Sequence, residues 1–460
     1  MENMNLKPML KPESVAIIGA SRDSDKVGHV ILQNYINCGY SGRLYAVNKN
    51  ADEIMGIKSY PSVLDIKDHI DLAVIAIPAQ FVPGVLEECG KAKVKTVVVV
   101  SGGFAEIGNT ALQDQMVKIA EKYNMPTLGP NCLGVMDPRS RVDTLFLPTY
   151  KLSRPSVGGV SFVCQSGAVG STVLDLISRE GFGLSKFISY GNAAHVDEVD
   201  ILKYLMDDTE TKVIIMYIEG IKRGKEFIEV AKKITKIKPV IVLKAGRTAV
   251  GSAAARSHTA ALAGNYEAYE ALFRQYGFTI AEDLSDLLNY AKILSSEPNP
   301  KGGRVAIITN GGGTGVLTAD AIGLSGNLQM SELSSKSAEA LKKVMPPLVN
   351  LRIPLDLAGD ADEKRYGDAL AILNADDKID MFLVIVLFQT PGADSRVAAK
   401  MISFKEKLEK PMIVMSIGAE YTRIHRIMME SAGLPVYDSP SAAVRSLVEL
   451  LKYSRYLQRK

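Results

Sequence analysis

The chain predicts an α/β fold built three times over: a Rossmann-like unit followed by two flavodoxin-like units. Three observations carry the prediction. Short Val/Ile-rich runs alternate with helix-length amphipathic stretches along the chain. Two joints rich in Pro, Ser and Gly, Pro148–Gly159 and Ser295–Gly303, each precede a fresh apolar run. The second and third parts also share landmarks. Gly158-Gly159 and Gly167 recur at one constant offset as Gly302-Gly303 and Gly311, and Lys238-Pro239 and Gly277 recur as Lys410-Pro411 and Gly433. A length of 460 residues agrees, since domains run to roughly 150 residues each. The expected domains are therefore 1–150, 151–298 and 299–460.

The runs Val15–Ile18, Leu72–Ile77, Thr96–Val100, Val213–Tyr217, Val240–Leu243, Val305–Ile308, Phe382–Leu387 and Met412–Met415 are continuously apolar. Such strands suit parallel sheets covered on both faces. Hydrophobic content of 47%, charged content of 23% and a net charge of +3 describe a globular protein of near-balanced charge. Nothing in that balance calls for nucleic acid or an anionic membrane. The chain has neither an apolar run of about 18 residues nor a signal-peptide core, and the expected location is the cytoplasm. Its four cysteines and five histidines are scattered. They form no metal-binding spacing, so no metal site is expected in this chain.

In the first unit, Val15–Ile18 runs into the turn Gly19-Ala20-Ser21, and Gly28 opens the next helix. Such a turn lets backbone N–H groups close on a phosphate. Dinucleotide dehydrogenases place Asp or Glu at the end of the second strand. Here that strand ends Val47-Asn48-Lys49, and a lysine suits a phosphorylated ribose better than a bare diol. CoA, with its 3′-phosphate, thus competes with NAD. Two more loops, Ser101-Gly102-Gly103 and Gly129-Pro130-Asn131-Cys132, should lie at the carboxyl edge of the same sheet. Asn131 offers an N–H to a carbonyl or a developing oxyanion. Cys132 has no evident His–Asp partner and reads as a buried bystander.

In the second unit, Gln165-Ser166-Gly167 follows the first strand and should cap a helix, presenting N–H groups to an anion. Glu219 ends the strand beginning at Val213. Ser257-His258-Thr259 sits among small residues and follows Lys244, Arg247 and Arg256. Two readings of His258 stand: a phosphate carrier on an exposed loop, or a surface histidine in a helix cap. Gly246 lies 31 residues before Gly277, while Gly418 lies 15 before Gly433, so the surplus falls where His258 sits. A loop inserted on a repeated scaffold is a usual place for function. In the third unit, Asn310–Gly313 and Leu355–Ala361 offer further glycine-rich helix starts.

Taken together, Ser257-His258-Thr259, Glu219, Gln165-Ser166-Gly167, Gly129-Pro130-Asn131-Cys132 and Gly19-Ala20-Ser21 resemble the nucleoside-diphosphate-forming acyl-CoA synthetases, relatives of succinyl-CoA synthetase. Within that family the chain is most similar to the α subunits of ADP-forming acetyl-CoA synthetase. The resemblance implies a CoA-binding domain and two succinyl-CoA synthetase-like domains. It implies that acyl-CoA and phosphate give an acyl phosphate, that His258 takes the phosphoryl group, and that ADP then becomes ATP with Mg²⁺. Glu219 would stabilise phosphohistidine, and Asn131 would face the acyl carbonyl. Gln165, Ser166 and Gly167, with Ala358, Gly359, Asp360 and Ala361, would cradle phosphate. Gly19, Ala20, Ser21, Gly28, Lys49, Ile77, Pro78, Ser101, Gly102 and Gly103 would line the CoA cleft. No part of the chain reads as an ATP-grasp domain. The nucleotide site is therefore expected on a separate ATP-grasp β subunit, in an assembly of two α and two β chains acting on a small carboxylic acid. An NAD-dependent dehydrogenase and a non-catalytic CoA-binding regulatory module are the competing readings.

Overall fold

The structure is a computed structural model and describes residues 4–180, 182–253 and 265–459. Among them the strands form three sheets. The chain divides into two compact units, one of 1–179 with 183–281 and one of 180–182 with 282–460.

The first sheet has the order Glu53–Ile54, Ile57–Tyr60, Arg43–Val47, Ser14–Ile18, Leu72–Ile75, Thr96–Val99, Thr127–Leu128. Its central strands are parallel and buried throughout. Strand order reverses beside Ser14–Ile18, whose neighbours are Arg43–Val47 and Leu72–Ile75. Open α/β sheets bind ligands at the carboxyl ends of the strands at such a reversal.

The second sheet runs Thr279–Ile280, Val240–Lys244, Val213–Ile218, Val157–Cys164, Leu184–Ser189, Gly134–Asp137, Val142–Asp143. The last two strands join antiparallel. They precede position 150 in sequence yet complete the sheet that follows it, and no compact boundary falls there. The reversal lies between Val157–Cys164 and Val213–Ile218.

The third sheet follows the same plan: Gln329–Met330, Arg304–Thr309, Met381–Ile385, Met412–Met415, Val436–Tyr437, with Leu355–Asp356 paired to Arg304–Thr309. The sequence joint near 298 does not coincide with the edge of this unit. Helix Leu284–Ser296 lies in it because its buried face packs with the last helix, Pro440–Gln458. The Pro/Gly stretch marks a turn inside the unit.

Register makes the repeat explicit. Cys164 pairs with Tyr217 as Thr309 pairs with Ile385, and Tyr217 pairs with Leu243 as Ile385 pairs with Met415. The connection from strand Val240–Lys244 to helix Tyr266–Gln275 is long, whereas that from Met412–Met415 to helix Glu420–Ser431 is short. The surplus read from the sequence thus has its place. No helix among the described residues is long and apolar enough to cross a membrane.

The compact unit of the third sheet buries a cation. Lys292 Nζ lies 2.8 Å from Glu180 and 2.9 Å from Glu430, and it donates to the Val436 carbonyl at 3.2 Å. Burial pulls its pKa down, but the two carboxylates outweigh this and the lysine stays charged. Removing one side of a buried pair strands the other charge, at a cost of about 3–5 kcal/mol. Lys292→Met should lower the denaturant midpoint sharply. The double variant Lys292→Met/Glu430→Gln should recover part of the loss, as read by equilibrium unfolding.

Candidate active site

At the first reversal two glycines set the geometry. Gly19 has φ +95°, and a Cβ there would stand 2.4 Å from the Ala76 carbonyl oxygen. A Cβ on Gly28 would stand 1.9 Å from the Gly19 oxygen, so the helix Val27–Asn37 starts hard against the turn. Asn48 holds the turn, its Nδ2 donating to the Ala20 carbonyl at 2.7 Å. Lys49 beside it is exposed. Ser21 accepts from the Asp23 N–H at 3.0 Å. Ser101 Oγ donates to the Ile77 carbonyl at 2.6 Å. The structure therefore brings Gly19-Ala20-Ser21, Lys49, Ile77-Pro78 and Ser101–Gly103 to the carboxyl edge of one sheet.

Asn131 sits on the same edge. Its N–H donates to the Ser101 carbonyl at 2.9 Å, and its φ of 55° is a left-handed value that asparagine tolerates. Its Nδ2 donates to Asn192 Oδ1 at 3.2 Å, and Asn192 Nδ2 donates to Glu106 Oε2 at 2.5 Å. The other Glu106 oxygen accepts from the N–H groups of Gly103 and Phe104 at 2.5 and 3.1 Å. Burial raises the Glu106 pKa, but the bonds from Asn192, Gly103 and Phe104 outweigh it and hold it low. Cys132 is buried, its thiol donating to the Val99 carbonyl at 3.3 Å, and burial pushes its pKa up to about 12. It is a bystander.

At the second reversal, Gln165 Oε1 accepts from the N–H groups of Glu219 and Gly220, at 2.7 and 3.2 Å. Helix Gly167–Glu180 begins one residue after Ser166, whose hydroxyl accepts from the Val169 N–H at 3.4 Å. Glu219 is buried. Lys244, also buried, donates to the carbonyls of Glu219 and Ala245 at 2.8 and 2.5 Å and lies 4.8 Å from the Tyr269 ring centre. Burial lowers its pKa, and Glu219 opposes that shift. Gln165, Ser166, Glu219 and Lys244 thus converge at the point where the connection to Tyr266 leaves the sheet. His258 lies on that connection, outside the described residues.

Register identifies the third-unit counterparts. Asn310 stands where Gln165 does, accepting from the Leu387 N–H at 2.8 Å. Leu387 replaces Glu219, and Ser416 replaces Lys244. The two charges belong to the second unit only. Ala358–Ala361 is a turn ahead of a helix rather than its first residues. The helix is Glu363–Asn374, and its N-cap Asp362 already accepts from the Arg365 N–H at 2.9 Å. Asp360 pairs with Arg365 at 2.6 Å. The separation arises because Asp362 is a better cap than Ala358 or Gly359.

Among the described residues, Glu13, His69 and Asp71 place ligand atoms within 4.8 Å of one another. Lys95, 2.7 Å from Asp71, and Arg43, 2.9 Å from His69 Nε2, already engage them.

Residues 13–138 match the CoA binding domain family, and residues 157–294 match the succinyl-CoA ligase-like flavodoxin domain family. The ADP-forming acetate–CoA ligase I subunit alpha of Pyrococcus furiosus is 39% identical over 98% of this chain and 98% of its own. The chain belongs to the ADP-forming acetate–CoA ligase family. The corresponding ligase of Methanocaldococcus jannaschii is 41% identical over 98% of this chain, which spans 63% of that longer relative. The solved acetyl-coenzyme A synthetase 1 of Ca. Korarchaeum cryptofilum, in complex with phosphate and ADP, is 36% identical with a TM-score of 0.92, covering 99% of this chain and 98% of that one. The CoA binding domain match covers the turn Gly19-Ala20-Ser21 and Asn131, and the ligase-like match covers Gln165, Glu219 and Lys244.

Sequence reasoning passes over Glu106 and Asn192 and takes Lys244 only as local positive charge. Alignment of the two repeats would have exposed it and Glu219 as charges without counterparts. Glu106 and Asn192 are 86 positions apart and carry no local signal.

Glu198, at the start of helix Glu198–Asp207, is 1% exposed. Burial, then Asp197, pushes its pKa up to about 7, against the pull of Lys222 and Arg223. A carboxyl whose folded pKa is raised contributes stability below its unfolded pKa and loses it as pH rises through about 7. The loss is on the order of 3 kcal/mol. Glu198→Gln should flatten the fall in thermal stability between pH 5 and pH 8, measured against the native chain by calorimetry.

Proposed function

We propose that this chain is the α-type component of an ADP-forming acyl-CoA synthetase that interconverts acyl-CoA, phosphate and ADP with a small carboxylic acid, CoA and ATP. The observation that carries this reading is the buried Glu219–Lys244–Gln165 cluster at the root of the segment bearing His258, with no charged equivalent in the sister unit. The unit of the first sheet would hold CoA, that of the second sheet would carry the phosphohistidine segment, and that of the third sheet would be the second ligase domain.

In the first step a phosphate oxygen attacks the thioester carbonyl carbon. The C–O bond forms, the C–S bond breaks, and the departing thiolate takes the proton released by phosphate. Asn131 offers its N–H to the carbonyl oxygen as charge gathers there. In the second step a ring nitrogen of His258 attacks phosphorus and the carboxylate leaves. Glu219 accepts the remaining ring N–H and fixes the tautomer. The helix start at Ser166-Gly167 favours the phosphoryl charge. Phosphorus on nitrogen can then travel to ADP and Mg²⁺ on an ATP-grasp β subunit in an α₂β₂ assembly. The P. furiosus relative's designation as an α subunit supports a separate partner.

Two measurements test this. Calorimetric titration should show binding of CoA and none of NADH, because Lys49 replaces the acid a dehydrogenase needs; binding of NADH alone would overturn the proposal. The chain incubated with acetyl-CoA and labelled phosphate should acquire an acid-labile, base-stable label, and His258→Ala should abolish it. A label undiminished in that variant removes His258 from the reaction.

A further inference from the structure

Asn131 alone does not determine which end of its side chain meets a substrate. The two ends of a terminal amide have the same shape, and turning it over replaces a donor with an acceptor. Facing a carbonyl oxygen, one orientation attracts and the other repels. Something outside Asn131 must set the choice.

That something is a chain of hydrogen bonds with a fixed polarity. Glu106 accepts from the Gly103 and Phe104 N–H groups with one oxygen. An ionised carboxylate cannot donate, so its other oxygen must receive the NH₂ end of Asn192, at 2.5 Å. The amide oxygen of Asn192 therefore points the other way, and only the NH₂ end of Asn131 can answer it, at 3.2 Å. Each terminal amide has two N–H groups. Asn131 commits one to Asn192 and keeps one for a ligand. Asn192 itself is anchored by its backbone: its N–H donates to the Pro130 carbonyl at 3.0 Å, and its carbonyl accepts from Lys222 at 2.9 Å. The preceding Gly191 lets the two loops touch, since a Cβ there would stand 2.3 Å from the Asn131 backbone carbonyl oxygen.

We infer that Asn192 is a positioning residue for acyl transfer, which transmits the acceptor polarity of Glu106 to Asn131 so that an N–H faces the thioester carbonyl. The inference rests on the ligase reading above. It separates the two halves of the reaction. Charge develops on the carbonyl oxygen when phosphate attacks the thioester. The later transfer of the phosphoryl group from acyl phosphate to His258 makes no such demand.

The test follows that division, using the protein together with any partner that copurifies. Phosphohistidine formation is measured from acetyl-CoA plus labelled phosphate, and separately from labelled acetyl phosphate. Loss of an oxyanion donor slows such steps about 10²–10³-fold, and a misoriented donor less. Asn192→Ala should cut the rate from acetyl-CoA by about ten- to a hundredfold, with KM for acetyl-CoA little changed and the rate from acetyl phosphate preserved. Asn192→Asp sets two carboxylates side by side, which together retain one proton as pH falls. That proton restores a donor to Glu106, while Lys222 stays on the carbonyl of residue 192. This variant should be slow at pH 8 and regain activity from acetyl-CoA toward pH 6, unlike the native chain. If both half-reactions fall together, or neither falls, Asn192 has no such role. A native chain that takes label from neither donor would instead overturn the ligase reading beneath it.

Discussion

Where two parallel strands part company, the backbone groups at their ends lose their partners, and this protein meets that constraint with side-chain amides. Asn48 ties the second strand of the first sheet to the Ala20 carbonyl. Gln165 receives the N–H groups of Glu219 and Gly220. Asn310 receives that of Leu387. Buried backbone groups are costly when unpaired, so each of these strand ends is tied by a neutral group. Neutral ties add no charge of their own to the sheet edge.

Those charges were distributed unequally between two copies of one fold. At matched positions the second unit has Glu219 and Lys244, and the third has Leu387 and Ser416. The long connection before Tyr266 belongs to the same unit as the charges. A buried carboxylate beside a buried ammonium adds little to stability. Its retention in one copy and replacement in the other fits a role in handling a group that carries its own charge.

Much of the architecture was legible in the sequence because it rests on local rules. Continuous apolar runs announced parallel strands, and a glycine after Ile18 announced the first turn. Unequal spacing between Gly246 and Gly277 located the extra segment. Longer-range facts were not legible. Helix Leu284–Ser296 belongs with Pro440–Gln458 through packing that no Pro/Gly stretch reports. Ala358–Ala361 looked like a helix start until Asp362 took the cap. Lys49 drew attention by its charge, although its neighbour Asn48 holds the loop. Glu106 and Asn192 meet only because two separate loops end at one edge.

Strands Gly134–Asp137 and Val142–Asp143 lie in the sheet of the second unit while the segment just before them, through Asn131, serves the first. The stretch is stitched into both. A graft at either of the leading two sheets would tear an edge strand from the other or unseat the loop that carries Asn131. The two sheets thus belong to one compact unit, and a change in the stretch between them is felt on both sides.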